Sequence, residues 1–184
     1  MSDAVPVWRG MLLASMLAAV TASAADTQPS VLPTLRFTAD VVASEFYDQI
    51  QRAPQFQKMS REAVGSPLEL RVYHTWRINR GSAEATGLLA AATLGIVPMV
   101  SSGEHTIVYE LLVNGAPVSA YKYSKSLTHA HNLWSGADTT HGLGKDGVEW
   151  AKSTVALFLK DAADDAKLAA LAAEFDYYFS PPKT

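Results

Sequence analysis

The chain contains no cysteine among its 184 residues. That absence excludes disulfides and thiolate metal sites, and it leaves stability to core packing alone. It also excludes attachment of a lipid through the cysteine that bacterial lipoproteins carry after their apolar leader. No apolar run reaches the roughly 20 residues that a membrane-spanning helix needs. No cluster of Lys and Arg is present against a net charge of −3, which speaks against nucleic acid as a partner. The G-x-S-x-G nucleophile elbow, the P-loop and the dinucleotide glycine motif are all missing, so no catalytic class announces itself.

What is present begins with an address. Arg9 precedes the apolar run Met11–Val20, which ends in Ala22-Ser23-Ala24. A positive residue, a short apolar core and a small-x-small site are the parts of a secretory signal peptide. The expectation is a signal over 1–24 cleaved near Ala24, a flexible leader over 25–34, and one domain over 35–180 in the periplasm. Removing the signal leaves 160 residues, the size of a single domain with a real core.

Along that domain, Leu35-Arg36-Phe37 offers a short strand. Asp40–Arg52 carries Val42, Phe46 and Ile50 on one helical face, with Thr38 or Asp40 as its cap and Pro54 as its stop. Gln55–Pro67 reads as a loop. Leu68–Asn79 alternates strictly: Leu68, Leu70, Val72, His74, Trp76 and Ile78 face one way and the polar residues the other. His74 is expected to be a core histidine with one hydrogen-bonded nitrogen. Gly81–Glu84 is taken as a turn. His105–Val113 and Pro117–Lys125 flank Asn114-Gly115, a strong hairpin signal. A two-residue turn places Val113 opposite Ala116, Leu111 opposite Val118 and Tyr109 opposite Ala120, with Val108, Leu112, Tyr121 and Tyr123 on the other face. Gly147–Ala163 has a stripe of Val148, Ala151, Val155, Phe158, Leu159 and Ala162. The later set Leu168, Leu171 and Phe175 is out of phase with it, so the helix should break near Asp164, with Asp164-Asp165 capping a second one. The expected fold class is α+β: a small antiparallel or mixed sheet of three to four strands with helices packed on one face.

Gly87–Val100 is apolar almost throughout. Its length and Pro98 favour a buried helix or crossover between Ile78 and His105. The alternative is a surface segment that meets lipid or a partner's groove, and its contact candidates are Leu94, Ile96, Val97 and Met99. The segment Thr93-Leu94-Gly95-Ile96-Val97-Pro98, with the strand His105–Val113, the turn Asn114-Gly115 and the aromatic return strand Val118–Tyr123, resembles several families of small bacterial envelope proteins. Many of those are lipoproteins with a T-L-G-[IL]-[IVL]-P segment before a β-hairpin. The resemblance implies a small α/β accessory protein of the envelope, assisting transport or outer-membrane assembly, and it brings no catalytic residues. The chain departs from the lipoprotein members in having no lipid-attachment cysteine.

His129 and His131 have the i, i+2 spacing that puts two imidazoles on one side of a strand, and His141 follows with Asp138 and Asp146 nearby. Three histidines and a carboxylate could hold zinc or copper, though the bland reading is a polar strand end and a solvated loop. Ser124, Ser126 and His129 suggest a nucleophile and base only by proximity. Asp161, Asp164 and Asp165 read as a helix end and cap. Tyr121, Tyr123, Trp134 and Trp150 read as ordinary sheet packing. The function these features support first is a non-catalytic soluble periplasmic accessory or binding protein. It would act through contacts with an envelope or periplasmic protein, with peripheral membrane contact as a further partner. A metal-dependent enzyme or metal-binding protein using His129, His131 and His141 is one alternative, and a small-molecule or lipid carrier is another.

Overall fold

The computed structural model describes residues 32–78, 80–94, 96–131 and 142–179; the signal segment 1–24 lies outside them. The elements are β1 (Leu35–Ala39), α1 (Ala43–Ile50), β2 (Met59–Ser60), β3 (Leu68–Ile78), α2 (Arg80–Ala92), β4 (Met99–Val113), β5 (Ala116–His131), α3 (Gly144–Ala163) and α4 (Ala166–Phe179). The strands form one mixed sheet in the order β2-β1-β3-β4-β5. It therefore has five strands rather than three or four. β1 pairs in parallel with both β2 and β3, and the two-residue β2 lies inside the stretch expected to be loop. A parallel pair is joined by a crossover rather than a turn, so nothing local announces it.

β3 follows its alternation: Leu68, Leu70, Val72 and His74 are buried while Arg71, Thr75 and Arg77 are exposed and Glu69 is half-buried. Trp76 is on the inward side yet exposed. The helix α1 does not use a side-chain cap. It starts after Val42 at φ 48°, while the Asp40 carboxylate accepts the His74 N–H at 3.1 and 3.3 Å. Asp40 is thus spent on the β1–β3 seam.

The hairpin turn stands where expected, with Asn114 and Gly115 at φ 51° and 80°, the pair of positive angles that a two-residue turn demands. The strands are longer than their apolar cores, since Ser101–Glu104 belongs to β4 and the ladder runs to Met99 opposite His131. Val113 faces Ala116, but an irregularity at Leu111/Leu112 then shifts the register. Leu111 faces Ser119 and Tyr109 faces Tyr121. One extra residue turns every later side chain to the other face. Tyr121 and Tyr123 consequently share the inward face with Tyr109.

There they meet α3. Phe158 stacks on Tyr109 at 4.4 Å between centroids and 4° between planes, and contacts Phe56 and Tyr121 at 5.5 and 5.3 Å. The Tyr109 hydroxyl lies 2.7 Å from Thr154, whose own hydroxyl donates to the Ala151 carbonyl. α3 ends at Ala163 and α4 begins at Ala166. Asp165 is the cap: one oxygen accepts the Lys167 N–H, and the other accepts the Ser119 and Tyr121 hydroxyls at 2.9 and 2.6 Å. Asp161 takes the Tyr123 hydroxyl at 2.7 Å. The stripe of α3 and the break after it are thus built against the sheet. Leu32 is already buried in the same core.

Candidate functional site

The end of the sheet away from the hairpin carries the two features that can do something. The first is α2 and the turn that follows it. Residues 81–84 are helix rather than turn. Thr86 docks the helix on β4 by donating its hydroxyl to the Val100 carbonyl at 3.0 Å and accepting the Val100 N–H at 3.1 Å. Ala90, one turn on, is buried. The leucines point elsewhere: Leu88, Leu94 and Ile96 are 76, 81 and 80 % exposed, and Leu89 and Val97 are exposed too. An ordinary surface helix buries its large apolar residues; α2 leaves Leu88 and Leu89 exposed and buries Ala90. The expectation of a buried crossover over Gly87–Val100 is corrected accordingly. The side chain of Met99 lies outside the described ones.

The turn closes on itself. The Thr93 N–H and hydroxyl both donate to the Leu89 carbonyl, at 3.1 and 3.0 Å. Leu94 N–H donates to Ala91, Ile96 N–H to the Thr93 carbonyl, and Val97 N–H to the Thr93 hydroxyl at 3.2 Å. Leu94 sits at φ 53°, a helix-ending conformation usually given to glycine. A branched side chain held there costs about 1–2 kcal/mol, and strain of this kind concentrates where a surface has work to do.

The second feature is a row of histidines across three strands at the root of α2. The register places His74, His105 and His129 on the inward face of β3, β4 and β5. His74 Nε2 and His105 Nδ1 are 3.0 Å apart with rings nearly parallel, and His129 meets His105 edge-on at 5.8 Å. His74 thus has the expected hydrogen-bonded nitrogen, with another histidine as its partner. Burial, then the neighbouring His74 and His129, hold His105 below the usual imidazole range. His129 Nε2 is buried without a hydrogen bond among the described residues. The opening of α3 leaves no room beside it: a Cβ on Gly144 would lie 3.0 Å from the His129 ring, and Gly144 has φ 61°.

The metal reading of His129, His131 and His141 gains no geometry from this. His129 turns to His105 and His74, the side chain of His131 is outside the described ones, and His141 is outside the described residues altogether. Among the described residues no group of three or more His, Asp or Glu is arranged to hold a metal ion. Ser124 pairs with Thr106 at 2.7 Å on the outward face, opposite to His129, so the two form no nucleophile and base. A carrier needs a cavity between sheet and helices. That space is filled by the stack of Phe56, Phe158, Tyr109 and Tyr121. Clefts among the described residues include open ones of about 470 and 320 Å³ around Pro67 and Phe175, about 490 Å³ on the outward face by Tyr73 and Arg77, and about 420 Å³ by Asp48 and Arg52. No helix among the described residues is long and apolar enough to cross a membrane. Trp134 also lies outside the described residues, while Trp150 packs against the core.

The histidine row was missed in the sequence because it depends on the β3–β4–β5 register. The only signal available was the alternation that puts His74 and His105 on inward positions of their strands.

No protein-family model matches the chain, and no curated protein matches its sequence. Among solved structures it is similar to a protein of Caulobacter crescentus CB15 provisionally described as a lipoprotein, at 16% identity and a TM-score of 0.33 over 71% of this chain and 89% of that one. It is similar to a minor lipoprotein from Acinetobacter baumannii at 9% identity and a TM-score of 0.33, over 79% and 95%. It is also similar to the rare lipoprotein B from Shewanella oneidensis at 10% identity and a TM-score of 0.29, over 78% and 97%.

Proposed function

We propose that this protein is a non-catalytic accessory protein of the bacterial cell envelope, exported by its N-terminal signal, that works by presenting the α2–β4 tip to another envelope component. The observation that carries the reading is the inverted helix. α2 docks through Thr86 and Ala90 and exposes Leu88 and Leu89, and the turn after it exposes Leu94, Ile96 and Val97. Contiguous exposed apolar surface marks a contact site, and this one coincides with the T-L-G-I-V-P segment through which the chain resembles envelope proteins.

The test is a photo-crosslinking amino acid placed at Leu94, with a second at Val64 as control, in cells expressing the full chain. Val64 is 86 % exposed and lies before β3, whose length of 11 residues separates it from the tip by about 35 Å. An adduct with an envelope protein or lipid at position 94 and none at 64 is expected. Equal labelling at the two positions, or recovery of the chain in the cytoplasm, overturns the proposal.

A further inference from the structure

We infer that the component met by the α2–β4 tip is the interfacial zone of a lipid bilayer, and that the tip enters it without help from anionic headgroups. The inference rests on the contact reading above and names the partner of the same site.

Three observations favour lipid over a protein groove. First, a segment that enters hydrocarbon must bring its backbone polar groups already satisfied, because no water is there to meet them. At the tip the N–H groups of Thr93, Leu94, Ile96 and Val97 all have partners within the segment, two of them through Thr93. Second, the chain carries no Lys, Arg, Asp or Glu between Glu84 and Glu104, and no aromatic residue either. Protein interfaces draw their energy from aromatic and arginine anchors, with Leu and Val under-represented. The large exposed side chains of the tip, Leu88, Leu89, Leu94, Ile96 and Val97, are all aliphatic, which suits acyl chains. Third, the charges nearest to it in sequence and register come close to balance. Arg77 faces Glu104 across the β3–β4 ladder, Lys125 faces His105, and Arg80 and Glu84 lie on α2, three positive residues against two negative. A rim of both signs suits a zwitterionic surface and gives little attraction to an anionic one.

The depth is limited by length. A helix of 13 residues extends about 20 Å, short of the roughly 30 Å hydrocarbon core, so the tip rests in one leaflet. Leu94, Ile96 and Val97 lead, and the polar sheet stays in water.

The absence of cysteine makes the test direct. Leu94→Cys and Val64→Cys each give one attachment point for a polarity-sensitive fluorophore in the full chain. With vesicles of phosphatidylcholine, the probe at position 94 is expected to shift to the blue and to be quenched by brominated acyl chains, while the probe at 64 does neither. Ile96→Asp, added to the labelled protein, should lower the partition coefficient at least about tenfold, the consequence of removing one buried aliphatic side chain. Raising salt should leave the response in place. A probe at 94 that stays water-like at saturating vesicle, or one that responds only to anionic vesicles, overturns the inference. If the probe fails while crosslinking at 94 captures an envelope protein, the lipid assignment falls and the contact reading stands. If both fail, both fall.

Discussion

Two apolar helical segments of similar hydrophobic content meet opposite fates in this molecule. α3 alternates its apolar stripe with Lys145, Glu149, Lys152 and Lys160, and it lies with Ala151, Val155, Phe158 and Ala162 inward. α2 and its turn have no charge after Glu84, and their leucines lie outward. The difference is one of information. A stripe bounded by charges says which side is core. A uniformly apolar run says only that water is unfavourable, and tertiary docking decides the rest. Among the described residues the docking runs through the Thr86 hydroxyl on the Val100 backbone and through the buried Ala90. Ala90 is small enough to lie buried one turn on from Thr86, and the leucines beside it are left outside.

The sharpest way to break this comparison is to truncate one residue on each side of it. Phe158→Ala removes the ring stacked between Tyr109 and Phe56 and should cost about 3–5 kcal/mol, the range for a large aromatic in a core. Leu89→Ala, with a similar loss of apolar volume, should fall within about 0.5 kcal/mol of the parent, as exposed positions do. Urea unfolding of the three proteins decides it. A loss above 2 kcal/mol for Leu89→Ala would mean that α2 is packed as α3 is.

Much of α3's side of the molecule was legible from residues alone. The alternation of β3, the Asn114-Gly115 turn, the stripe of α3 and the break at Asp164-Asp165 all express local chemistry, and all are present in the fold. What escaped depends on partners far along the chain. β2 has too few residues to carry a period. The irregularity at Leu111/Leu112 has no obligatory residue, yet it decides whether Tyr121 meets Phe158 and Asp165 or solvent. Asp40 has the chemistry of a helix cap and was claimed instead by the His74 backbone. The histidine row needs the register of three strands at once. Of the candidate site, Leu94, Ile96 and Val97 were nameable in the sequence, but their exposure was not, because nothing in an uncharged run distinguishes inside from outside.

A smaller effect is expected where the two regions join, at the histidine row. His105 is held below its ordinary range in the folded protein, by burial and then by His74 and His129, while in the unfolded chain it titrates near 6.5. Between the lowered value and 6.5 the unfolded chain therefore binds more protons, so stability rises with pH there. The contribution is complete above about pH 6.5 and is lost as pH falls through the folded-state value. A second proton would also remove the acceptor from the His74–His105 contact. The urea midpoint should therefore fall between about pH 7.5 and 5.5, a window above the ordinary carboxylate range. The fall should be shallower in His105→Gln. A midpoint constant over that window, or an equal slope in the variant, would show that the row does not titrate with folding.

The smallest expected change, and the most telling, is at Leu94. Its φ of 53° is a conformation in which glycine is at ease and leucine is strained by about 1–2 kcal/mol. Glycine's extra freedom in the unfolded chain offsets roughly 0.5–1 kcal/mol of that relief. Leu94→Gly should therefore leave stability unchanged or raise it by up to about 1.5 kcal/mol, read as a urea midpoint at unchanged slope. If the tip exists for contact, the same change should weaken vesicle partition. A variant that is more stable and binds less would place the strain at Leu94 in the service of presenting its side chain. A variant that loses more than 1 kcal/mol would mean instead that Leu94 packs against the protein. The contrast between an inward α3 and an outward α2 would then fail at the residue that shows it most.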